Sequence, residues 1–225
     1  MTYTFLLIDL ALLLIPLCLL LDRKIFGFKQ LVAGIIPSFV VTVIFTELAI
    51  FWTGQKILIF NNVYLLGPYY RYLPVEFYLF IFTFTFAGLG IYNYLNHKFP
   101  NDNLQKYSLA VSNLILGICV AFLFFAYTKW YTALTFGSLF LLLILIEYKN
   151  ELRFMYKFYR AFVVSLVPFY ICYAIIGNLP IITYKTVETV GLELFNIPFE
   201  NHFYMMGMLL LGVFLLEFIK SRRAK

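Results

Sequence analysis

Seven apolar runs follow one another along this chain, and each is close to the length that an α-helix needs to cross a membrane. They cover approximately residues 3–21, 31–52, 75–95, 107–127, 130–146, 158–177 and 203–219. No polar stretch between them is long enough to form a separate soluble domain. Hydrophobic residues make up 63% of the chain and charged residues only 12%, which is unlike a soluble protein. We therefore predict one all-α membrane domain over residues 1–225, a polytopic bundle of about seven transmembrane helices.

The positions of the basic residues predict how these helices are oriented. If the N-terminus is outside, four of the 17 Lys and Arg residues fall in outer segments, namely Lys56, Arg71, Lys129 and Lys185. The other 13 then lie on the inner side, where Lys and Arg are enriched in membrane proteins. We expect an integral protein of a bacterial cytoplasmic membrane, with its N-terminus outside and its C-terminus cytoplasmic. The same pattern explains the formal net charge of +6 without nucleic acid as a partner.

A short Pro–X–Glu motif, where X is any residue, occurs at the start of the third span and again at the start of the seventh. Residues 73–78 read Leu-Pro-Val-Glu-Phe-Tyr, and residues 197–202 read Ile-Pro-Phe-Glu-Asn-His. The two glutamates, Glu76 and Glu200, are 124 positions apart, and connectors of nearly equal length precede the two motifs. A long-range repeat of this kind indicates duplicated structural units.

We interpret the repeat as two copies of a three-helix unit. The first copy is predicted in residues 1–98 and the second in residues 129–225, with a linking helix in residues 99–128. Four membrane crossings separate equivalent helices, and an even number returns the chain to the same face. The two copies are therefore predicted to be parallel rather than inverted.

Glu76 and Glu200 are the main candidates for chemistry. Proline and an acidic residue are both favoured in the first turn of a helix, so either motif alone has a structural explanation. Their recurrence favours function, because glutamates shielded from water are suited to donate and accept protons. In parallel copies the two carboxyl groups would lie at similar depth and could face each other across the interface between the copies.

Several other residues are candidates for supporting roles. Glu47 and Asp9 are acidic groups at membrane depth, where burial is unfavourable unless the charge is paired or neutralised. Asp9 could equally be a structural hydrogen-bond partner. His202 directly follows the second motif and could orient Glu200. Tyr72 and Tyr204 suit either an aromatic belt at the membrane interface or the stabilisation of a carbocation.

The cysteines and histidines do not follow a metal-binding pattern. The three cysteines, Cys18, Cys119 and Cys172, all lie in apolar runs, and the chain has only two histidines. The sequence also lacks a glycine-rich dinucleotide fingerprint. We expect neither a metal nor a cofactor.

The chain resembles the membrane-embedded lycopene cyclases of the heterodimeric type, here with both three-helix repeats in one chain. The resemblance covers nearly the full length. It depends on the two motifs and on the residues that lead to them, together with two pairs in the sixth span. These are Phe60, Asn61, Tyr64 and Gly67, then Tyr184, Glu188 and Gly191, and the pairs Phe158-Tyr159 and Pro168-Phe169.

The resemblance implies carotenoid biosynthesis by an intramolecular lyase, or isomerase, that forms end rings through acid–base carbocation chemistry within the membrane. An acid protonates the end of a linear carotene, a nearby double bond traps the cation, and a base removes a proton. It implies Glu76 and Glu200 as acid and base, and the supporting candidates are Glu47, His202, Asn61, Tyr72 and Tyr204. A hydrophobic polyene is the implied substrate, surrounded by membrane lipid. A second copy of the chain or neighbouring carotenoid enzymes are possible partners.

Two positions depart from the family pattern. Phe77 and Asn201 stand directly after the two glutamates, where that family commonly has acidic residues. A non-catalytic carotenoid-binding or partner subunit of the same fold is therefore an alternative to the enzyme. A small transporter is a further alternative, although transporter helices are usually broken at the midplane and their repeats are often inverted.

Overall fold

The structure, a computed structural model, describes residues 3–101, 105–149 and 154–223. Arg153 and Lys225, two of the basic residues behind the predicted orientation, lie outside the described residues. Within these described ranges, six helices are long and apolar enough to cross a membrane, and a seventh apolar helix is shorter. The predicted all-α membrane bundle of about seven helices is confirmed.

The helices are α1 (Thr4–Leu19), α2 (Phe28–Ala33), α3 (Ile35–Gly54), α4 (Val75–Lys98), α5 (Gln105–Phe125), α6 (Trp130–Lys149), α7 (Met155–Asn178) and α8 (Phe199–Arg223). The strands are β1 (Leu58–Phe60), β2 (Tyr69–Tyr70), β3 (Leu73–Pro74), β4 (Ile182–Tyr184), β5 (Glu193–Leu194) and β6 (Ile197–Pro198). Each connector also contains one 3-10 turn, Asn62–Tyr64 or Thr186–Glu188.

The observed helices differ from the predicted spans in two places. The second span is divided into α2 and α3 at Gly34. The last helix begins at Phe199, earlier than the predicted start at residue 203. Both motif glutamates consequently lie in the first turn of their helices, α4 and α8.

The two connectors pair with each other through β1 and β4. These strands are antiparallel, and Ile59 lies opposite Thr183, its counterpart 124 positions later. At one end of the pair, the backbone N–H of Asn61 donates to the carbonyl oxygen of Ile181 over 3.0 Å. At the other end, the equivalent bond joins Lys185 to Ile57 over 2.9 Å. Self-complementary contacts of this kind define a two-fold axis, which relates the two parallel copies.

Helices α4 and α8 form the centre of the bundle, and most of their residues are buried. They cross at two equivalent contacts, Gly88 with Leu209 and Gly212 with Thr85. Small residues allow the backbones to approach closely in membrane helices. Helices α3 and α7 each pack against both α4 and α8, so each copy packs against the other. Helix α1 packs along α4, α6 packs along α8, and the linking helix α5 packs on α6 and α7.

Each connector ends in a two-residue hairpin that leads directly into the central helix. Strand β2 pairs with β3 and β5 pairs with β6. The turn residues are Arg71 and Tyr72 in the first hairpin and Phe195 and Asn196 in the second, and all four have positive φ. Positive φ at both central residues is characteristic of type I′ turns. We refer to this end of the bundle, which carries both connectors and both Pro–X–Glu motifs, as the motif end.

Candidate functional site

Glu76 lies in the first turn of α4 and is completely buried. The backbone N–H of Leu66, in the preceding connector, donates a hydrogen bond to its Oε1 atom. Its Oε2 atom has no hydrogen-bond partner among the described residues. One carboxyl oxygen of Glu76 therefore fastens the connector to the start of α4.

Glu200 has the equivalent arrangement in α8. It is also completely buried, and the N–H of Val190 donates to its Oε1 atom over 2.7 Å. The hydroxyl of Thr132, on α6, donates to the same oxygen over 2.7 Å. The Oε2 atom lacks a partner in the part of the chain that the structure describes. Since Leu66 and Val190 are equivalent, each connector binds the glutamate of its own copy.

No hydrogen bond joins Glu76 to Glu200 within residues 3–101, 105–149 and 154–223. The residues directly after the two glutamates, Phe77 and Asn201, instead line a shared cavity. Its volume is about 10 Å³, roughly the space of one water molecule.

Equivalent residues from α4 and α8 line this axial cavity. They form four pairs related by the two-fold axis, Phe77 with Asn201, Phe80 with Tyr204, Ile81 with Met205 and Phe84 with Met208. Helix α7 adds Phe169 and Tyr173. The cavity is thus aromatic and apolar, and it lies between the motif end and the crossing of α4 and α8.

The two sides of the axial cavity have opposite polarity. On the first side, the ring of Phe77 packs against Phe60 with a centroid distance of 5.2 Å. On the second side, Asn201 donates from Nδ2 to the hydroxyl of Tyr184 over 2.8 Å, and the hydroxyl of Tyr131 donates to its Oδ1 atom. Burial raises the pKa of Tyr184 to about 12, so its phenol remains protonated at neutral pH. An apolar pair in one copy is therefore replaced by a hydrogen-bonded network in the other.

Asp9 is a further buried carboxyl group. It lies on α1 and is 2% exposed, and neither of its oxygens has a hydrogen-bond partner among the described residues. Phe5, one turn earlier on α1, packs on Phe77 and Phe80. Pro16, two turns later, packs against Gly90, so Asp9 lies deeper in the bundle than Glu76. The sequence left open a structural role for Asp9 as a hydrogen-bond partner. Among the described residues, Asp9 makes no such hydrogen bond.

Two supporting candidates lie near the axis. Tyr204 lines the axial cavity, and its hydroxyl donates to the carbonyl oxygen of Phe45 over 2.9 Å. His202 faces α7, where its Nε2 atom lies 3.2 Å from the hydroxyl oxygen of Tyr170. Its hydrogen-bond contacts among the described residues do not include Glu200.

The other three candidates lie away from the axial cavity. Glu47 forms an ion pair with Arg71 over 2.6 Å, and both side chains are about half exposed. This pair borders a groove of about 410 Å³ between α3 and α4, and the hydrogen bond to Glu47 raises the pKa of Arg71. Tyr72 is 71% exposed at the tip of the first hairpin. Asn61 accepts a bond from the N–H of Val63 and so caps the 3-10 turn.

Thr132 and Tyr131 also contact the site, although the sequence pattern did not indicate them. Both are in the first turn of α6, and Tyr is common at a membrane boundary. Their only sequence signal was proximity to the predicted start of the fifth span. Within the described residues, no group of three or more His, Cys, Asp or Glu side chains is arranged to hold a metal ion.

Fold and site together define a membrane-embedded helical protein built from two parallel copies, each with a buried glutamate at the start of its central helix. The chain matches the lycopene cyclase family over residues 1–95 and 128–219, and it belongs to this family. The match includes both copies and omits the segment that contains α5. No curated protein and no solved structure matched the chain. Membership supports a carotenoid cyclase-like function in general, of the cyclase or isomerase type.

Proposed function

We propose that this protein closes the end of a linear, lycopene-type polyene into a ring within the membrane. One observation carries the proposal. Two buried glutamates occupy equivalent positions, each directly before a residue that lines the axial cavity. Among the described residues, each has one oxygen held by its connector and one oxygen without a hydrogen-bond partner. The fixed oxygen orients the carboxyl group, and the other can exchange a proton with a substrate.

The proposed reaction needs an acid and a base but no oxidant or reductant. A proton adds to the terminal double bond of the polyene and leaves a tertiary cation. The electrons of a nearby double bond attack this cation, a carbon–carbon bond closes the ring, and the cation moves to the ring. Loss of a proton from a neighbouring carbon then restores a double bond. Since one proton enters and one leaves, the product is an isomer of the substrate. Glu76 and Glu200 are the groups that we propose for these proton transfers.

The lining of the axial cavity suits a carbocation. Phe77, Phe80 and Phe84 present aromatic rings, whose negative faces attract positive charge. An apolar site also excludes water, which would otherwise trap the cation as an alcohol. The cavity is too small for a polyene end, so binding requires side chains to move. Met205 and Met208 are suited to this, because methionine is flexible and adapts to different shapes.

We also propose that the motif end faces outward, in line with the distribution of basic residues. The N-terminus would then be outside and the C-terminus cytoplasmic, as the positive-inside rule predicts. A hydrophobic polyene would reach the site from the lipid phase rather than from water.

Expression in bacteria that accumulate lycopene tests this function. We expect the wild-type chain to produce monocyclic or bicyclic carotenes, identified by chromatography against standards. The double variant Glu76→Gln/Glu200→Gln should insert normally and leave lycopene unchanged. Glu193→Gln is the matched control, because Glu193 is an exposed glutamate in the second connector. Equal ring formation by the double variant and by wild type would refute a role for the two glutamates.

A non-catalytic carotenoid-binding subunit is the second candidate function. The neutral side chains of Phe77 and Asn201 at the centre of the cavity favour it. In that case lycopene would co-purify with the intact protein without being converted. Recovery of bound, unchanged lycopene from well-inserted wild type would favour this second function.

A further inference from the structure

The groove between α3 and α4 has an apolar wall and a charged end. The apolar side chains that line it are Phe39, Val43, Ile50, Leu79 and Phe82. The ion pair of Glu47 and Arg71 borders it toward the motif end. Phe39 and Glu47 are eight positions apart on α3, so Phe39 lies about 12 Å deeper in the membrane. The hydrocarbon of one leaflet is about 15 Å thick, half of a bilayer core. The groove therefore extends through most of one leaflet, and its charged end lies at the level of the lipid headgroups.

Aromatic rings fill the equivalent place in the second copy. The residues 124 positions after Thr46, Glu47 and Arg71 are Tyr170, Ile171 and Phe195. The ring of Tyr170 packs on Phe195 and on His202, at centroid distances of 5.4 and 5.5 Å. In the first copy, the small side chain of Thr46 lines the groove instead. The two copies therefore differ in both space and charge at this place.

The ion pair at the groove has hydrogen-bonding capacity for a ligand. The Nη1 and Nη2 atoms of Arg71 donate to the two carboxyl oxygens of Glu47 over 2.6 and 3.2 Å. A guanidinium group has five N–H donors and a carboxylate has about four acceptor sites, so this pair uses only part of each. Both side chains are about half exposed. The hydroxyl of Tyr78 donates to the carbonyl oxygen of Tyr70 over 3.0 Å and holds the first hairpin beside the groove.

We propose that this groove binds one phospholipid of the phosphatidylethanolamine class, whose headgroup carries both a phosphate and a primary ammonium group. The phosphate accepts hydrogen bonds from Arg71, the ammonium group donates to Glu47, and one acyl chain lies along the apolar wall. Charge complementarity selects this occupant, because a headgroup with both charges matches a positive and a negative side chain placed together. An anionic lipid without an ammonium group would bring its phosphate next to Glu47 unpaired. A hydrocarbon polyene offers a partner to neither charge. The inference does not depend on the proposed ring closure.

Competition between two lipids tests the headgroup site. Delipidated protein in detergent receives an equal mixture of palmitoyl-oleoyl phosphatidylethanolamine and palmitoyl-oleoyl phosphatidylglycerol, and native mass spectrometry counts the bound lipids. Wild type should prefer the ethanolamine lipid by about tenfold, the scale of one charge-assisted hydrogen bond. Glu47→Gln should abolish this preference, because the amide is uncharged. The matched control is Glu193→Gln, which removes the same charge from an exposed position in the second connector and should keep the preference.

A second pair of variants tests the apolar wall. Val43 lines the groove, and Val167 is its exposed counterpart on α7. Val43→Trp should fill the groove and lower the bound fraction of the ethanolamine lipid severalfold. Val167→Trp adds the same ring to the equivalent face of the second copy and should leave lipid binding unchanged. The midpoint of thermal unfolding in detergent checks that each variant is folded.

The outcomes decide the inference without any measurement of ring formation. Equal binding of the two lipids by wild type would overturn it, and so would a preference that Glu47→Gln retains. Equal losses in Val43→Trp and Val167→Trp would assign the lipid to the general surface of the bundle and would also overturn it. Protein from lycopene-accumulating cells gives a further check. Lycopene that wild type retains in place of phospholipid, and that Val43→Trp alone loses, would show that the groove holds the polyene instead. The inference is supported if only Glu47→Gln loses the headgroup preference and only Val43→Trp loses bound lipid.

Discussion

Gly88 of α4 lies so close to Leu209 of α8 that a Cβ atom at Gly88 would stand 2.3 Å from the Cδ2 atom of Leu209. The equivalent contact joins Gly212 to Thr85, with a corresponding distance of 3.1 Å. The crossing of the two central helices thus contains two equivalent close contacts, one on each side of the two-fold axis. It closes the bundle beyond the axial cavity, on the side away from the motif end.

Gly88→Ala should destabilise the protein, because the added methyl group must displace Leu209. Overpacking of this kind costs about 1–3 kcal/mol. We expect a lower midpoint of thermal unfolding in detergent. Because the two residues are in contact, Leu209→Ala should lower the midpoint less in the Gly88→Ala background than in wild type. The control is Gly117→Ala, since a Cβ atom there would meet nothing within 4 Å. Equal midpoints for the two single variants would contradict the close crossing.

Asn201→Leu should be more damaging than Phe77→Leu, although the two positions are equivalent. Leucine at 201 leaves the hydroxyl groups of Tyr131 and Tyr184 without their amide partner, and an unsatisfied buried polar group costs about 1–3 kcal/mol. Leucine at 77 removes only part of an apolar ring contact. Thermal unfolding of both variants in detergent measures the difference. A smaller loss for Asn201→Leu would contradict the polar network.

The two copies should associate when they are produced as separate chains. A break in the connector between α4 and α5 leaves the pairing of β1 with β4 intact, together with the packing of α3 and α7 across the axis. We expect residues 1–101 and 102–225 to co-purify from membranes through a tag on either fragment. Fragments that insert but purify separately would show that the contacts between copies are too weak to hold them together.

Glu47→Gln should have little effect on ring formation. Glu47 is about half exposed and paired with Arg71 at the groove between α3 and α4, away from the axial cavity. Exposed ion pairs contribute little to stability. Pigment analysis should therefore show ring formation close to that of wild type. A loss as large as that of Glu76→Gln would instead assign Glu47 to the site.

Much of the fold could be predicted because its signals are local. Each span is a continuous apolar run, and the two motifs mark the starts of α4 and α8. The pairing of β1 with β4 could not be predicted, because a strand of three residues carries too short a pattern. The division at Gly34 was also missed, since both sides of it are equally apolar.

The site was harder to predict than the fold, because side-chain direction depends on how each helix is rotated. Glu76 and Phe77 are consecutive, yet consecutive helical residues point about 100° apart. The sequence predicted carboxyl groups that could face each other, while in the structure Phe77 and Asn201 line the axis. The depth of Asp9 relative to Glu76 depends on the packing of α1 along α4, which sequence spacing alone does not determine.

The most direct measurement is a single-turnover reaction in D₂O, with purified protein in excess over lycopene. Acid–base ring closure takes its proton from an exchangeable group on the protein, so each ring formed should carry one deuterium, detectable by mass spectrometry of the separated carotenes. Recovery of unchanged lycopene from folded protein, or rings that contain no deuterium, would contradict the account.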